Sequence, residues 1–303
     1  MTDIGRQLTA MLTPLHDDGT VNFDAAQSLA HRLCEDGSDG IVVAGTTGES
    51  PTLSDDEKIE LTRAVRDAIG PDRQVVTGTG GNDTRHSVEL SERGMGAGAD
   101  ALLCVVPYYS KPTQEGMYRH FCAISEVGPV IMYNIQGRTG VNMTAETTLR
   151  CAAERGVIGV KEASGNIDQM GFVCAGAPEG FRVWSGDDSF TLPLLAVGGY
   201  GVIGVTTHLA GSAMRRVIDS YLAGDVRAAA SLHQRLLPLI KALMSTASNP
   251  IPVKTAVARL GFPAGPFRLP LAPLSDAQEA SVMAAVRDAG DLVTFGGAIG
   301  ARR

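Results

Sequence analysis

The chain has 303 residues, 44% of them apolar and 5% aromatic, with 36 glycines and a formal charge of −7. A chain of that length buries a large core without disulfides or a structural metal, and 19% charged residues with no dominating low-complexity stretch exclude a disordered protein. The acidic balance argues against nucleic acid or an anionic membrane surface as a partner.

The first five residues carry neither a basic leader nor an apolar segment, and no run approaches the roughly 18 apolar residues of a membrane span; a cytoplasmic location is expected. Short, β-rich apolar runs then recur at residues 8–12, 41–44, 74–77, 101–106, 130–133, 157–160, 182–184 and 202–205. Between them, apolar spacing predicts helices over 23–35, 55–69, 84–94, 114–126 and 145–155. Ser54-Asp55-Asp56-Glu57 reads as a capping box, and Thr144 as an N-cap with Glu146 in the first turn. Past Thr206 the pattern turns helical, over 212–222, 226–245, 253–260 and 276–289, with a Pro-rich stretch at 249–273. The Gly/Ala-rich tail from Phe295 to Arg303 is expected to fray.

Strand runs without polar alternation belong to parallel sheets covered by helices on both faces. Eight of them alternating with helices predict an α/β fold, a closed (β/α)8 TIM barrel over 1–225 with a C-terminal helical appendage over 226–303. An open doubly wound sheet is the competing architecture, weakened because no G-x-G-x-x-G opens a helix after the first strand. Cys34, Cys104, Cys122, Cys151 and Cys174 are odd in number and far apart, with no CxxC or Cys/His zinc pattern. They read as reduced, mostly buried thiols.

In such barrels the active site lies at the C-terminal strand ends. Only five lysines exist, at 58, 111, 161, 241 and 254, and Lys161 directly follows an apolar strand run. There its charge is costly, and desolvation favours the neutral amine that attacks a carbonyl to form a Schiff base. Bringing its pKa to neutrality costs about 4 kcal/mol of ammonium stability. The bland alternative is a surface lysine paired with Glu162, a description that suits the other four lysines better. Tyr133 and Tyr109 end strands with phenols that can relay protons or merely pack. Gly45-Thr46-Thr47-Gly48 offers hydroxyls and backbone N–H groups to a carboxylate. Arg138 can clamp a second carboxylate or stand solvated in a loop. Trp184 reads as strand-end packing and His208 as a loop residue after strand eight.

In order along the chain stand Gly45-Thr46-Thr47-Gly48-Glu49-Ser50, Pro107-Tyr108-Tyr109, Tyr133-Asn134 with Arg138-Thr139-Gly140, Gly159-Val160-Lys161-Glu162-Ala163-Ser164 and Ser185-Gly186-Asp187-Asp188. With Asn249-Pro250-Ile251-Pro252-Val253-Lys254 and Arg268-Leu269-Pro270, the whole resembles the dihydrodipicolinate synthase / N-acetylneuraminate lyase family of class I aldolase-type barrels. The resemblance implies that Lys161 forms a Schiff base with pyruvate and that Tyr133 is the general acid/base, linked through Thr46 to Tyr109. It implies that Tyr109 reaches across a dimer interface into the neighbouring site of a homotetramer. Thr47 would hold the pyruvate carboxylate, and the main chain around Gly186 and Ile203 would line the pocket. No metal or organic cofactor is implied.

Arg138 within an R-T-G triplet matches the synthase branch, whose second substrate is L-aspartate 4-semialdehyde. Cleavage of a 2-keto-3-deoxy sugar acid on the same Lys161 and Tyr133 is the alternative within the family, and a non-catalytic keto-acid-binding barrel the alternative outside it. Two departures stand out. Gln136-Gly137 replaces the usual proline and small residue before Arg138, removing a stiffening ring from that loop. Asp55, Lys58 and His86 stand where lysine-inhibited members carry histidines and a glutamate, although Asn82 and Tyr108 remain. A lysine effector carries two ammonium groups, so a lost acid and a gained cation predict weak or absent lysine feedback.

Overall fold

The computed structural model describes residues 4–296. In chain order the elements are β1 (Gln7–Ala10), α1 (Phe23–Glu35), β2 (Gly40–Val43), α2 (Asp55–Ile69), β3 (Gln74–Gly78), α3 (Thr84–Gly96), β4 (Ala101–Val105) and α4 (Gln114–Ser125). They continue with β5 (Val130–Asn134), α5 (Gln136–Thr139), α6 (Ala145–Ala152), β6 (Val157–Glu162), α7 (Ile167–Gly176), β7 (Arg182–Ser185), α8 (Thr191–Ala196) and β8 (Gly201–Gly204). The chain then runs through α9 (Thr207–Leu222), α10 (Val226–Ser245), α11 (Ile251–Arg259) and α12 (Asp276–Asp288). All strand pairings are parallel, and β1 pairs with both β2 and β8, so the barrel closes and the open doubly wound sheet is excluded.

Helix starts follow the local chemistry. The Ser54 hydroxyl accepts from the Glu57 N–H while the Glu57 carboxylate accepts from the Ser54 N–H at 2.8 Å, the reciprocal box expected at α2. Thr144 caps α6 by accepting from the Thr147 N–H. Helix α9 starts at Thr207, five residues before its predicted start, because a kink at Ala210 (φ −136°, ψ 41°) breaks the apolar period there. His208 is therefore a helix residue and not a loop residue. It is fully buried, with Nε2 accepting from the Leu12 N–H at 3.1 Å and Nδ1 2.8 Å from the Val205 carbonyl.

Alternation along each strand sorts the apolar runs into two cores. Leu8, Val42, Val76, Leu103, Ile131, Ile158, Trp184 and Ile203 fill the barrel interior. Their neighbours, such as Ile41, Val75, Leu102, Met132 and Val183, pack outward under the helices. Trp184 closes the interior from β7, its indole N–H donating to the Gly5 carbonyl at 2.9 Å. All five cysteines are free, with Cys34, Cys104 and Cys151 buried and the other two half-buried. Among the described residues no helix is long and apolar enough to cross a membrane.

Helices α10 to α12 share one continuous core with α1, α9 and the β1–β2 side of the barrel, through Leu236, Leu239, Val253, Val257 and Val282. Phe295 belongs to the same core: it meets Phe262 edge-to-face at 5.9 Å, and the Arg32 guanidinium lies 3.9 Å from its ring centre. The expected fraying therefore does not begin at Phe295, and residues 297–303 lie outside the described residues.

The sequence reading of Lys254 as a surface lysine is overturned. Its ammonium is 1% exposed and donates to Glu49 Oε1 at 2.6 Å and to the Thr13 carbonyl at 3.0 Å. This ion pair ties α11 to the loop after β2. Removing one member of a buried pair strands the other charge, which costs about 3–5 kcal/mol. We expect Lys254→Met to lose about that much stability in chemical denaturation, and Glu49→Gln added to it to recover part. A loss below about 1 kcal/mol would show that the pair is not a strong tie.

Candidate active site

Strands β5 and β6 place Tyr133 directly beside Lys161, and β7 places Trp184 on the other side. A register shift at Val130/Ile131 opposite Ile158 sets the phase of β6. Past it, Gly159 faces the Trp184 ring, where a Cβ would come within 2.5 Å. Lys161 thus points inward and Glu162 outward. Lys161 lies within the strand rather than after it, because the ladder continues through Glu162 opposite Asn134 and Ser185.

The pairing of Lys161 with Glu162 is thereby excluded. Glu162 is buried outside the barrel, accepting from Asn134 Nδ2 at 3.1 Å, Gln169 Nε2 at 3.1 Å and the Ser164 N–H at 2.7 Å. Lys161 is 4% exposed and forms no ion pair among the described residues. Its Nζ lies 4.4 Å from the centre of the Tyr133 ring. Burial pushes its pKa down to about 8, with Asp188 opposing and Arg138 adding to the shift. Tyr133, also buried, is pushed up to about 12 by the same desolvation, against the opposing pulls of Arg138 and of a hydrogen bond with Thr46.

Asp188 is the negative group that acts on Lys161. It is buried, and its oxygens accept from the Val205 and Thr206 N–H groups and the Thr206 hydroxyl at 3.0–3.2 Å. Gly204 leaves it room, since a Cβ there would lie 2.2 Å from Asp188 Oδ1. Gly186 packs directly on the Lys161 side chain, where a Cβ would meet Cγ and Cε at 3.1 Å. Ile203 sits on β8 within the barrel interior, in the same cluster as Tyr133 and Trp184.

The Gly45–Gly48 turn leaves β2 between two non-glycine residues with positive φ, Ala44 at +52° and Glu49 at +58°. Thr47 is buried, and its hydroxyl accepts from Asn249 Nδ2 at 2.9 Å. Arg138 rises from the one-turn helix α5, and its Nη2 donates to the Asn249 carbonyl at 3.2 Å. A cavity of about 380 Å³ is lined by Thr46, Tyr133 and Arg138 and also by Lys58, Asn82 and His86. Tyr109 stands apart: it is 90% exposed, with a φ of +70°. Within one chain the structure thus gathers Lys161, Tyr133, Thr46, Thr47, Arg138 and Gly186, and leaves Tyr109 outside.

Sequence reasoning assigned no role to Asp188, Asn249, Glu49 or Lys254. Each stands inside a motif already singled out, but only the fold shows what its side chain touches.

Comparison with known proteins gives a consistent result. Residues 3–289 match the model of the dihydrodipicolinate synthetase family. The 4-hydroxy-tetrahydrodipicolinate synthase of Moorella thermoacetica is 52% identical over 288 residues, covering 94% of this chain and 98% of that one. A lysine-bound dihydrodipicolinate synthase structure from Cyanidioschyzon merolae superposes with a TM-score of 0.92 at 42% identity, over 95% of this chain and 98% of that one. The chloride-inhibited enzyme from Acinetobacter baumannii, complexed with pyruvate, superposes equally well at 36% identity, over 95% and 99% of the two chains.

The Lys161 environment predicts a pH dependence. Because desolvation disfavours the ammonium, the neutral fraction rises about tenfold per unit up to pH 8 and then levels. Borohydride-coupled reaction of Lys161 with a small carbonyl compound, followed by mass spectrometry, should level near pH 8. Levelling near 10.5, the ordinary lysine value, would refute the assignment. Tyr133 stays protonated throughout this range and adds no second step.

Proposed function

The chain belongs to the dihydrodipicolinate synthetase family, and from that premise we propose that it condenses pyruvate with L-aspartate 4-semialdehyde, the reaction of 4-hydroxy-tetrahydrodipicolinate synthases. The supporting observation is the buried Lys161 amine beside Tyr133 at the barrel mouth, in no ion pair among the described residues and with its pKa pushed down to about 8 by burial. The neutral amine adds to the pyruvate ketone and water leaves, giving a protonated imine. Loss of a methyl proton gives an enamine, whose carbon attacks the aldehyde and forms the new carbon–carbon bond. The amino group of the former semialdehyde then adds to the imine carbon, closing the ring and releasing Lys161. One water is lost overall, and the imine itself is the electron sink.

Tyr133, un-ionised by its burial, is suited to hand a proton to the departing hydroxyl and recover it later. Thr46 connects it to the outside of the barrel, and Thr47 holds the pyruvate carboxylate. Gly186 leaves space for the Lys161 stem, the main chain near Ile203 lines the pocket floor, and Arg138 binds the semialdehyde carboxylate through its planar fork. Tyr109 completes the relay from a neighbouring subunit: an aromatic side chain 90% exposed on a positive-φ backbone is suited to an intermolecular contact. A cytoplasmic homotetramer, with a catalytic barrel over 1–225 and a helical domain over 226–303, is the assembly this reading implies.

Borohydride trapping with pyruvate should place one adduct on Lys161 and none on Lys161→Ala; an unmodified Lys161 removes every Schiff-base reading. Arg138→Ala should leave trapping intact while raising KM for the semialdehyde at least tenfold, about the value of a lost charged hydrogen bond. In a competition assay, faster cleavage of a 2-keto-3-deoxy sugar acid than condensation would favour the lyase reading instead.

Lysine should inhibit weakly or not at all. Lys58 and His86 line the cavity; both already engage Asp55, at 3.5 Å and 2.6 Å, and the Lys58 ammonium opposes an incoming cation. Half-inhibition at sub-millimolar lysine in a steady-state assay would overturn this expectation.

A further inference from the structure

The appendage reaches the barrel mouth at one residue that touches both substrate subsites. Asn249 precedes α11 and is 93% buried by its 7% exposure. Its amide Nδ2 donates to Thr47 Oγ1 at 2.9 Å, across 202 residues of sequence. Its backbone carbonyl accepts from Arg138 Nη2 at 3.2 Å. Among the described residues its Oδ1 is buried with no hydrogen-bond partner, and the contact with Thr47 is the side chain's one hydrogen bond.

A threonine hydroxyl has one proton and two acceptor lone pairs. When an amide N–H occupies a lone pair, the proton remains free to donate elsewhere. Had the Asn249 carbonyl oxygen faced Thr47 instead, it would have drawn that proton to itself. Two other contacts of the turn do not involve that hydroxyl: Thr13 donates to the Gly48 carbonyl at 2.7 Å, and the Lys254 ammonium donates to the Glu49 carboxylate one residue on.

We propose that Asn249 is a positioning residue for substrate binding, aiming the Thr47 hydroxyl proton at the keto-acid carboxylate while its carbonyl steadies Arg138. The proposal rests on the reading of Thr47 as the carboxylate binder. It gives the helical appendage, which carries no acid, base or nucleophile of the proposed reaction, a direct share in substrate recognition.

The test is a double-mutant cycle in the full-length protein, read as the pyruvate concentration that half-saturates borohydride trapping of Lys161. A purely structural role would lower the active fraction and thermal stability without moving that concentration. We expect Asn249→Ala to raise it about tenfold, the weight of one hydrogen bond to a group that binds an anion. Thr47→Val should raise it at least as much, and the double variant no further than Thr47→Val alone, since Asn249 acts through the hydroxyl.

If Asn249→Ala does not fold, the isosteric Asn249→Asp takes its place. It offers only acceptors, so it should weaken pyruvate binding more in the wild-type background than in the T47V background, where only its charge still acts. An unchanged half-saturation in Asn249→Ala, or an effect of either variant that is equally large in the T47V background, overturns the proposal. A wild-type protein that gives no adduct overturns the Lys161 reading itself, which separates the two failures.

Discussion

A closed parallel barrel allows each strand residue only two directions, into the interior or out beneath the helices, and the chemistry of this protein depends on that constraint. Along β6 the phase set opposite Ile158 turns Gly159 and Lys161 inward and Val160 and Glu162 outward. One residue of slip would exchange the two charges. The carboxylate would then sit under Tyr133 and the amine among Asn134 and Gln169. The same phase on β5 puts Tyr133 inward beside Lys161 and Asn134 outward beside Glu162. Amine and phenol share the interior, while acid and amides share a closed outer network with every carboxylate oxygen satisfied.

The second organising contact joins distant parts of the chain. Positive φ at non-glycine residues costs about 1–2 kcal/mol per residue, and such strain persists only where its surroundings enforce it. Ala44 and Glu49 bracket the Gly45–Gly48 turn in that conformation. The enforcement at Glu49 is visible: one carboxylate oxygen takes the Lys254 ammonium and the other the Arg268 N–H at 3.2 Å. Arg268 in turn pairs with Glu57 of the α2 capping box. The appendage thus braces the turn from Glu49, through α11 and the segment that follows it, and braces the start of α2 by the same route.

Much of this was legible in the sequence, for identifiable reasons. The barrel could be read because its strands are apolar on both faces and alternate with capped helices. Lys161 stood out because lysines are scarce and this one continues an apolar strand. Where the signal was lost, long-range geometry had taken over. Lys254 looked like a surface residue because its counterion, Glu49, lies 205 residues away. His208 looked like a loop residue because the Ala210 kink hides the helical period of the first turn of α9. Helix α7 is weakly amphipathic, with Phe172 exposed at 69%, and so left little periodicity to read. Tyr109 is a different case, since among the described residues it is 90% exposed and stands apart from Tyr133 and Thr46.

The electrostatic design around Lys161 follows from what it must avoid. A protein carboxylate in contact with the amine would favour the ammonium and remove the nucleophile. Asp188, the acid whose charge opposes the shift of Lys161, instead accepts hydrogen bonds from Val205 and Thr206 and forms no ion pair with Lys161. Holding a substrate carboxylate with a second cation next to the amine would push its pKa still lower, and Arg138 already acts in that direction. Neutral donors from the Thr46–Thr47 turn, on the proposed reading, avoid both effects. On the proposed reading, the substrate then brings its own counter-charge: a bound carboxylate near Lys161 favours a cation at that nitrogen. The cation favoured after binding is the protonated imine, the form that accepts electrons. Before substrate binds, burial therefore raises the neutral fraction of the amine available for attack, and on the proposed reading the bound carboxylate stabilises the positive intermediate that attack produces.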